Sequence, residues 1–293
     1  MRTTRTPVVA IAVLVILTVT SLTGCSTVGR RLLIPNQSQG NPAAVLPESP
    51  AYEIVRLTLP DGTRIVGQFG KAVGTDSASA PTVIFFYGSN QTLSAPRDQI
   101  IFRGLRSMGA NVFIPEFPGH GMSGGVSTES GFYATADVAL DYVLSRPDLN
   151  ADRIIAAGMS RGTAVAIDLA SRRPVSGLIV VGAFTNAADV AMNAKTWMPR
   201  WFARSFAAQC RFDSLSKIGR VKCPVLLVYG GRDTLTPPWM SERLAAAAPG
   251  AVTKHLVGHS PHNPLWSSPA FGLDDFVRDW IRNVAKGAPA AGS

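Results

Sequence analysis

Short apolar runs alternate with longer amphipathic stretches over most of the chain, and this pattern limits the fold more than any other feature. The apolar runs are Thr82–Tyr87, Asn111–Ile114, Arg153–Gly158, Gly177–Val181, Pro224–Tyr229 and Val252–Val257, and the helix-like stretches are Ala95–Met108, Gly131–Ser145, Gly162–Arg172, Pro238–Ala247 and Pro269–Val284. Apolar parallel strands are buried on both faces, where helices cover them. The alternation therefore predicts an α/β fold with a mostly parallel twisted sheet and helices on both faces.

An antiparallel hairpin is expected ahead of this alternation. Residues Tyr52–Leu59 and Thr63–Phe69 each alternate in polarity, and Pro60-Asp61-Gly62 lies between them. Asp-Gly between two alternating runs is a turn signal that joins neighbouring strands. We expect this hairpin to form an antiparallel edge of the sheet.

The composition excludes several classes of protein. Of the 293 residues, 46% are hydrophobic and 16% are charged, so the chain can bury enough apolar surface to fold. Three cysteines are too few for a disulfide-stapled miniprotein or a four-cysteine zinc module. The net charge of +9 comes from scattered basic residues without a basic tract interleaved with aromatics, so no nucleic-acid partner is expected.

The first 25 residues have the pattern of an export signal. Arg2 and Arg5 precede the apolar run Val8–Leu17, and Leu22-Thr23-Gly24-Cys25 follows. The last four residues resemble the lipobox of bacterial lipoproteins, which implies cleavage after residue 24 and lipidation of Cys25. The protein would then be exported to the cell envelope and held on the membrane by its lipid. The alternative is an uncleaved anchor, although the apolar run is shorter than the roughly 20 residues of a spanning helix.

The remaining chain divides into a tether, a main domain and a tail. Residues 25–50 are rich in Asn, Gln, Pro, Ser and Gly and predict a flexible tether, while residues 51–286 hold the folded domain and residues 287–293 a tail. The strand–helix alternation breaks at about residues 185–222. Because this stretch contains Trp197, Trp201 and Phe202, we interpret it as an inserted cap over the substrate. The alternative is an insertion that packs on the domain and has no role in substrate recognition.

Two cysteines fall in the main domain, and the sequence leaves their state open. In an oxidising compartment Cys210 and Cys223 could pair. They could equally be two buried thiols, since Cys223 leads into an apolar strand and a free cysteine behaves as a small hydrophobe.

The most informative motif is a serine between a predicted strand and a predicted helix. Gly158-Met159-Ser160-Arg161-Gly162 fits the pattern G-x-S-x-G. At a sharp turn of this kind the serine is held in a strained conformation with its hydroxyl exposed above the sheet. Small flanking residues let the strand and the helix approach each other. Ser160 is therefore the candidate nucleophile.

A serine nucleophile needs a base, and the base needs an acid to orient it. Asp233 follows the strand Pro224–Tyr229 and a Gly-Gly turn, so its carboxylate should lie at the carboxyl end of that strand. We predict that Asp233 is the acid. The alternative is that Asp233 caps the helix that follows it.

Four histidines are candidates for the base. His120 precedes the acid in the chain and is interpreted as structural, and His255 lies inside a predicted strand. His259 and His262 remain, both in the segment after the last strand.

Taken together, these features resemble an α/β-hydrolase, and the resemblance covers about Tyr52–Val284. The matching segments are the Asp61-Gly62 hairpin, Phe86-Tyr87-Gly88-Ser89-Asn90, Pro118-Gly119-His120-Gly121-Met122-Ser123, the serine turn, Gly231-Arg232-Asp233 and the histidine segment. The order Ser, Asp, His is that of the family. The chain is most similar to the branch of monoglyceride lipases and serine-aminopeptidase-like hydrolases, in which Phe212-Asp213-Ser214-Leu215-Ser216-Lys217-Ile218 also recurs.

The resemblance implies roles for individual residues. It favours His262 over His259 as the base, because Pro269 follows His262 by the seven residues common in the family. It places the oxyanion-hole donors at the backbone N–H groups of Ser89 and Arg161. Family members usually have His-Gly where this chain has Tyr87-Gly88.

These residues predict a serine hydrolase that cleaves a carboxylic ester or related acyl bond through an acyl-enzyme. The mechanism needs no cofactor and no metal. The expected partners are a small acyl substrate and the membrane reached through Cys25. The alternatives are an envelope acyltransferase, which passes the acyl group to another acceptor, and a non-catalytic binding lipoprotein on the same fold.

Overall fold

Eight strands form one sheet in the computed structural model, which describes residues 49–89, 91–95, 99–193, 210–263, 265 and 273–285. The strands are β1 Glu53–Thr58, β2 Arg64–Gly70, β3 Thr82–Phe86, β4 Asn111–Pro115, β5 Ile154–Met159, β6 Gly177–Val181, β7 Val225–Gly230 and β8 Val252–Val257. The helices are α1 Gln99–Ser107, α2 Glu129–Leu144, α3 Arg161–Arg172, α4 Ala187–Asn193, α5 Ser214–Ile218, α6 Pro238–Ala247 and α7 Leu273–Ala285.

The strand order is β1-β2-β4-β3-β5-β6-β7-β8. Only the β1–β2 and β2–β4 pairs are antiparallel, and the pairs from β4 through β8 are parallel. The predicted α/β fold is thus confirmed. The predicted bounds of β6, β8 and α6 agree with the structure, and those of β3, β4, β5 and β7 differ by one residue at one or both ends.

The hairpin at the edge of the sheet is also confirmed. Glu53 pairs with Phe69 and Thr58 with Arg64 across the turn. At the turn, Gly62 has a φ of +83°, a left-handed conformation that glycine adopts without steric cost. Asp61 Oδ1 accepts a hydrogen bond from the Thr63 N–H at 2.9 Å, which fixes the turn locally.

Both faces of the sheet are buried, because its central strands are apolar throughout. On β3, Ile84 and Phe86 belong to one apolar cluster, and Val83 and Phe85 belong to another. Successive side chains of a strand point to opposite faces, so the two clusters lie on opposite sides of the sheet. Helices α2, α3 and α6 contribute to the first cluster, and α1 and α7 contribute to the second.

The predicted cap leaves and rejoins the domain at a hydrogen-bonded stem. The Ala187 N–H donates to the Arg211 carbonyl at 2.9 Å, and the Leu215 N–H donates to the Thr185 carbonyl at 3.0 Å. The Glu129 carboxylate of α2 accepts the backbone N–H groups of residues 211 and 212 at 2.7 and 2.8 Å. The two ends of the insertion are therefore fixed to each other and to the body of the domain.

Several sequence predictions fall outside the described residues. They concern the signal peptide of residues 1–24 with Cys25, the tether up to residue 48, the tail of residues 287–293, and Asn90, Trp197, Trp201, Phe202 and Pro269. Cys210 and Cys223 are present as thiols, so the disulfide alternative is wrong in this structure. Within the part of the chain that the structure describes, no helix has the length and apolar character needed to cross a bilayer.

Substitution of Gly162 tests how closely the central elements pack. A Cβ at Gly162 would lie 1.9 Å from the carbonyl oxygen of Phe86 and 2.7 Å from that of Tyr87, so the backbones of α3 and β3 would have to separate. We expect Gly162→Ala to lower the free energy of unfolding by about 3 kcal/mol or more, measured by urea denaturation. Gly104→Ala is the control, because nothing lies within 4 Å of its added Cβ. A helix-interior alanine there should stabilise the protein by up to about 1 kcal/mol, and equal effects at the two positions would contradict the close approach.

Candidate active site

Ser160 occupies the sharp turn between β5 and α3. Its backbone has φ +51° and ψ −120°, a strained conformation for a residue with a side chain. The Ser160 N–H donates to the Val181 carbonyl at 2.9 Å, which holds the turn against the next strand. A Cβ at Gly158 would lie 2.3 Å from the carbonyl oxygen of Gly162, so the two glycines of the motif are needed where β5 and α3 touch.

Asp233 follows β7 and is fully buried as a side chain. Its Oδ1 accepts the N–H groups of Leu235 and Thr236 at 2.9 and 2.8 Å, and its Oδ2 accepts the Thr236 hydroxyl at 2.8 Å. Helix α6 begins at Pro238 with Pro237 as its N-cap, so the alternative reading of Asp233 as that cap is wrong. The carboxylate instead organises its own turn.

His262 lies between the serine and the aspartate. Its Nε2 is 2.9 Å from Ser160 Oγ, and its Nδ1 is 2.7 Å from Asp233 Oδ2. An ionised carboxylate only accepts, so Nδ1 carries the proton and Nε2 is left to accept the serine hydroxyl. Burial alone would raise the pKa of the Asp233 carboxyl, but the hydrogen bonds from His262 and Thr236 hold it below its usual value.

The other three histidines take no part in this chain of hydrogen bonds. His259 is exposed and bonds to no other described residue. His255 lies in β8, where its ring stacks on Phe276 with the centroids 4.1 Å apart. His120 is buried, and its Nε2 is 2.9 Å from the guanidinium Nη2 of Arg161. The structure therefore brings Ser160 and Asp233 together with His262 and leaves His259 apart.

Some known proteins are similar to this chain in sequence, and others are similar to it in fold. An uncharacterized protein of Mycobacterium tuberculosis strain H37Rv is 31% identical over 219 residues, which is 75% of each chain. The alpha/beta hydrolase domain-containing protein WAV2 of Arabidopsis thaliana is 28% identical over 74% of this chain and 73% of its own. The Pyrococcus furiosus esterase Pf2001 superposes with a TM-score of 0.65 at 21% identity, over 84% of this chain and 96% of that one. No family model matches the chain.

The chain has the α/β-hydrolase fold. Its polar residues at the carboxyl ends of β5, β7 and β8 lie where ligands bind in open parallel sheets.

The domain has a cavity of about 210 Å³ beside Ser160. Its polar lining consists of Ser89, Ser160, Arg161 and Thr236. The remaining lining is apolar and consists of Phe184, Ala187, Val190, Phe212 and Leu235. A cavity of this composition suits an uncharged, apolar group next to the serine hydroxyl.

The two residues expected to donate to an oxyanion, Ser89 and Arg161, therefore line the same cavity as Ser160. Ser89 follows β3, and Arg161 is the first residue of α3, whose N–H groups have no partner within the helix. Neither backbone N–H donates to an acceptor among the described residues. As far as the described part of the chain is concerned, both N–H groups can donate to a ligand.

Sequence reasoning missed three residues of the site. Thr236 bonds to both Asp233 and His262, and its position three residues after an aspartate in a turn is a signal of side-chain capping. Phe212 lines the cavity with a φ of +40°, unusual for a bulky residue; the family-like segment that begins with it gave it no role at the site. Glu116 ties the loop after β3 to the turn after β4 by accepting the N–H groups of Leu93 and Met122 at 2.9 and 2.6 Å.

The titration of Glu116 should make the stability of the protein depend on pH. Burial raises the pKa of its carboxyl to about 7, against the opposing effect of the two N–H groups. Between about pH 4.3, the ordinary value, and pH 7, the folded protein keeps a proton that the unfolded chain has lost. The contribution of Glu116 to stability therefore falls as the pH rises through this window.

We expect Glu116→Gln, which does not titrate, to lack this dependence. From pH 5 to pH 8 the free energy of unfolding of the variant should rise relative to wild type by about 2 kcal/mol, measured by urea denaturation at each pH. A difference between the two proteins that does not change with pH would contradict the prediction.

Proposed function

We propose that the protein is a serine hydrolase that cleaves a carboxylic ester or related acyl bond. The observation that carries the proposal is the position of His262, within hydrogen-bond distance of both Ser160 Oγ and the buried carboxylate of Asp233. The strained backbone of Ser160 and the apolar cavity beside it support the same reading.

In the proposed reaction Ser160 Oγ attacks the acyl carbon while His262 Nε2 takes the hydroxyl proton. Asp233 holds the imidazole in the right tautomer and stabilises its positive charge. The backbone N–H groups of Ser89 and Arg161 donate to the oxyanion of the tetrahedral intermediate. The intermediate collapses to an acyl-serine as His262 protonates the leaving alcohol, and a water molecule then releases the acid by the same sequence of proton transfers.

The apolar lining supports an uncharged acyl group as the part of the substrate next to Ser160. The structural likeness to the Pyrococcus furiosus esterase makes simple carboxylic esters the first substrates to test. Transfer of the acyl group to an added alcohol, in competition with water, would identify an acyltransferase.

Covalent labelling by a fluorophosphonate tests the nucleophile and the base together. We expect wild type to be labelled and to hydrolyse p-nitrophenyl esters, and Ser160→Ala to do neither. His262→Ala should lose about 10³-fold or more in kcat, because no other described side chain lies within hydrogen-bond distance of both Ser160 and Asp233. His259→Ala is the matched control and should stay within about twofold of wild type. A folded wild-type protein that is neither labelled nor active would contradict the proposal and favour a binding protein.

We also propose, on the sequence alone, that Cys25 is lipidated and that the enzyme is anchored to the membrane of the cell envelope. In a bacterial host, wild type should be found in the membrane fraction and incorporate labelled palmitate. Cys25→Ser should lose the label, with Cys223→Ser as the control that keeps it. Labelling of both variants would contradict the assignment.

A further inference from the structure

The proposed reaction does not explain why the side chain of Arg161 is buried. The residue is only 4% exposed, and its guanidinium lies 4.8 Å from the ring centroid of Phe132 and 5.8 Å from that of Phe117. Among the described residues, no carboxylate lies within ion-pair distance of it, and its Nε and Nη1 have no hydrogen-bond partner. A buried cation without an acid costs stability, so the position of this guanidinium is not explained by a contribution to stability.

The third guanidinium nitrogen makes two hydrogen bonds. Nη2 donates to His120 Nε2 at 2.9 Å and to the carbonyl oxygen of Gly88 at 3.3 Å. Burial and the charge of Arg161 lower the pKa of His120 to about 3, so the imidazole is neutral at physiological pH and can accept. Burial lowers the pKa of Arg161 to about 9, which leaves the guanidinium charged.

The carbonyl of Gly88 and the N–H of Ser89 belong to one peptide group. That group is trans and planar, so its C=O and N–H bonds point in opposite directions. Whatever fixes the direction of the Gly88 carbonyl therefore fixes the direction of the Ser89 N–H. On its other side, Gly88 donates its own N–H to Gln91 Oε1 at 2.7 Å.

We propose that the side chain of Arg161 is a positioning residue that aims and polarises the Ser89 N–H toward the oxyanion, with His120 as the anchor of the guanidinium. This inference rests on the proposed serine hydrolase activity. Arg161 then serves both halves of the oxyanion hole, one through its own backbone N–H and the other through its side chain. Donation to a peptide carbonyl makes the N–H of the same peptide a stronger donor, and the buried positive charge adds to this effect.

The proposal also gives a function to the turn Pro118-Gly119-His120-Gly121. Gly119 and Gly121 have φ of +73° and +47°, and His120 Nδ1 lies 3.1 Å from the Pro118 carbonyl. The turn thus holds the imidazole with Nε2 directed at Arg161. The sequence predicted a structural role for His120. In the proposal, that role is to support the oxyanion hole.

Arg161→Met is the decisive variant. Methionine keeps the apolar stem between the two rings but removes the charge and both hydrogen bonds. Arg173→Met, just after the other end of α3, is the matched control, because its ion pairs are at the surface. For both variants we would measure kcat and KM for a p-nitrophenyl ester per site titrated with fluorophosphonate, together with the affinity for a trifluoromethyl ketone that forms a tetrahedral adduct with Ser160.

We expect Arg161→Met to lower kcat by about 10- to 100-fold with KM within about threefold, since a misdirected donor should cost somewhat less than a deleted one. The affinity for the trifluoromethyl ketone should fall by the same factor as kcat/KM, whereas Arg173→Met should match wild type. His120→Leu leaves the guanidinium in place without its anchor and should lower kcat less. In the double variant the two effects should not add, because both act on the same N–H group.

Four outcomes would contradict the proposed role of Arg161. A kcat within about twofold of wild type in Arg161→Met contradicts the proposal. If Arg161→Met has a lower melting temperature and fewer active sites that react with fluorophosphonate, but an unchanged kcat per active site, Arg161 only stabilises the fold and the proposal is wrong. If Arg161→Met does not fold, an unchanged kcat in His120→Leu contradicts the proposal in its place. A wild-type protein that is neither labelled nor active contradicts the proposed function itself, and with it this inference.

Discussion

The contact between β5, α3 and β3 at two glycines is the constraint on which the rest of the site depends. The helix starts so close to the sheet that a methyl group added at Gly162 would lie 1.9 Å from the carbonyl oxygen of Phe86, well inside the van der Waals contact distance. This approach forces the strained backbone of Ser160 and lifts its hydroxyl above the sheet. It also brings the loop after β3 within reach of the Arg161 side chain. The candidate nucleophile and the loop proposed to bind the oxyanion are thus positioned by one packing contact.

Three buried titratable groups lie in and around the site, and each has different hydrogen-bond partners. Asp233 stays ionised because backbone N–H groups, a threonine hydroxyl and His262 donate to it. Glu116 accepts two N–H groups and, with its raised pKa, keeps its proton up to about pH 7. Arg161 keeps its charge beside a neutral imidazole and two aromatic rings. The site therefore combines a negative charge behind His262 with a positive charge behind the loop that is proposed to bind the oxyanion.

The parts that could be predicted from sequence are those encoded by neighbouring residues. Apolar runs, the Asp61-Gly62 turn and the glycines around Ser160 act within a few positions of the chain. Their alternation predicts a mostly parallel sheet but does not give its strand order. The roles of His120 and Arg161 could not be read in this way, since their bond joins residues 41 positions apart and the bond to Gly88 spans 73. The choice of His262 over His259 likewise depends on where a loop places two rings three positions apart, which no periodicity encodes.

The stem between Thr185, Ala187, Arg211 and Leu215 has a consequence for how such a domain can diversify. Its backbone hydrogen bonds, together with the Glu129 carboxylate, close the insertion at its base. Lengthening a loop whose ends are already joined adds little closure entropy. The residues between the two ends can therefore be replaced or extended while the sheet, the serine turn and the His262–Asp233 pair keep their positions. Selection for a new substrate could act on this insertion as a separate module.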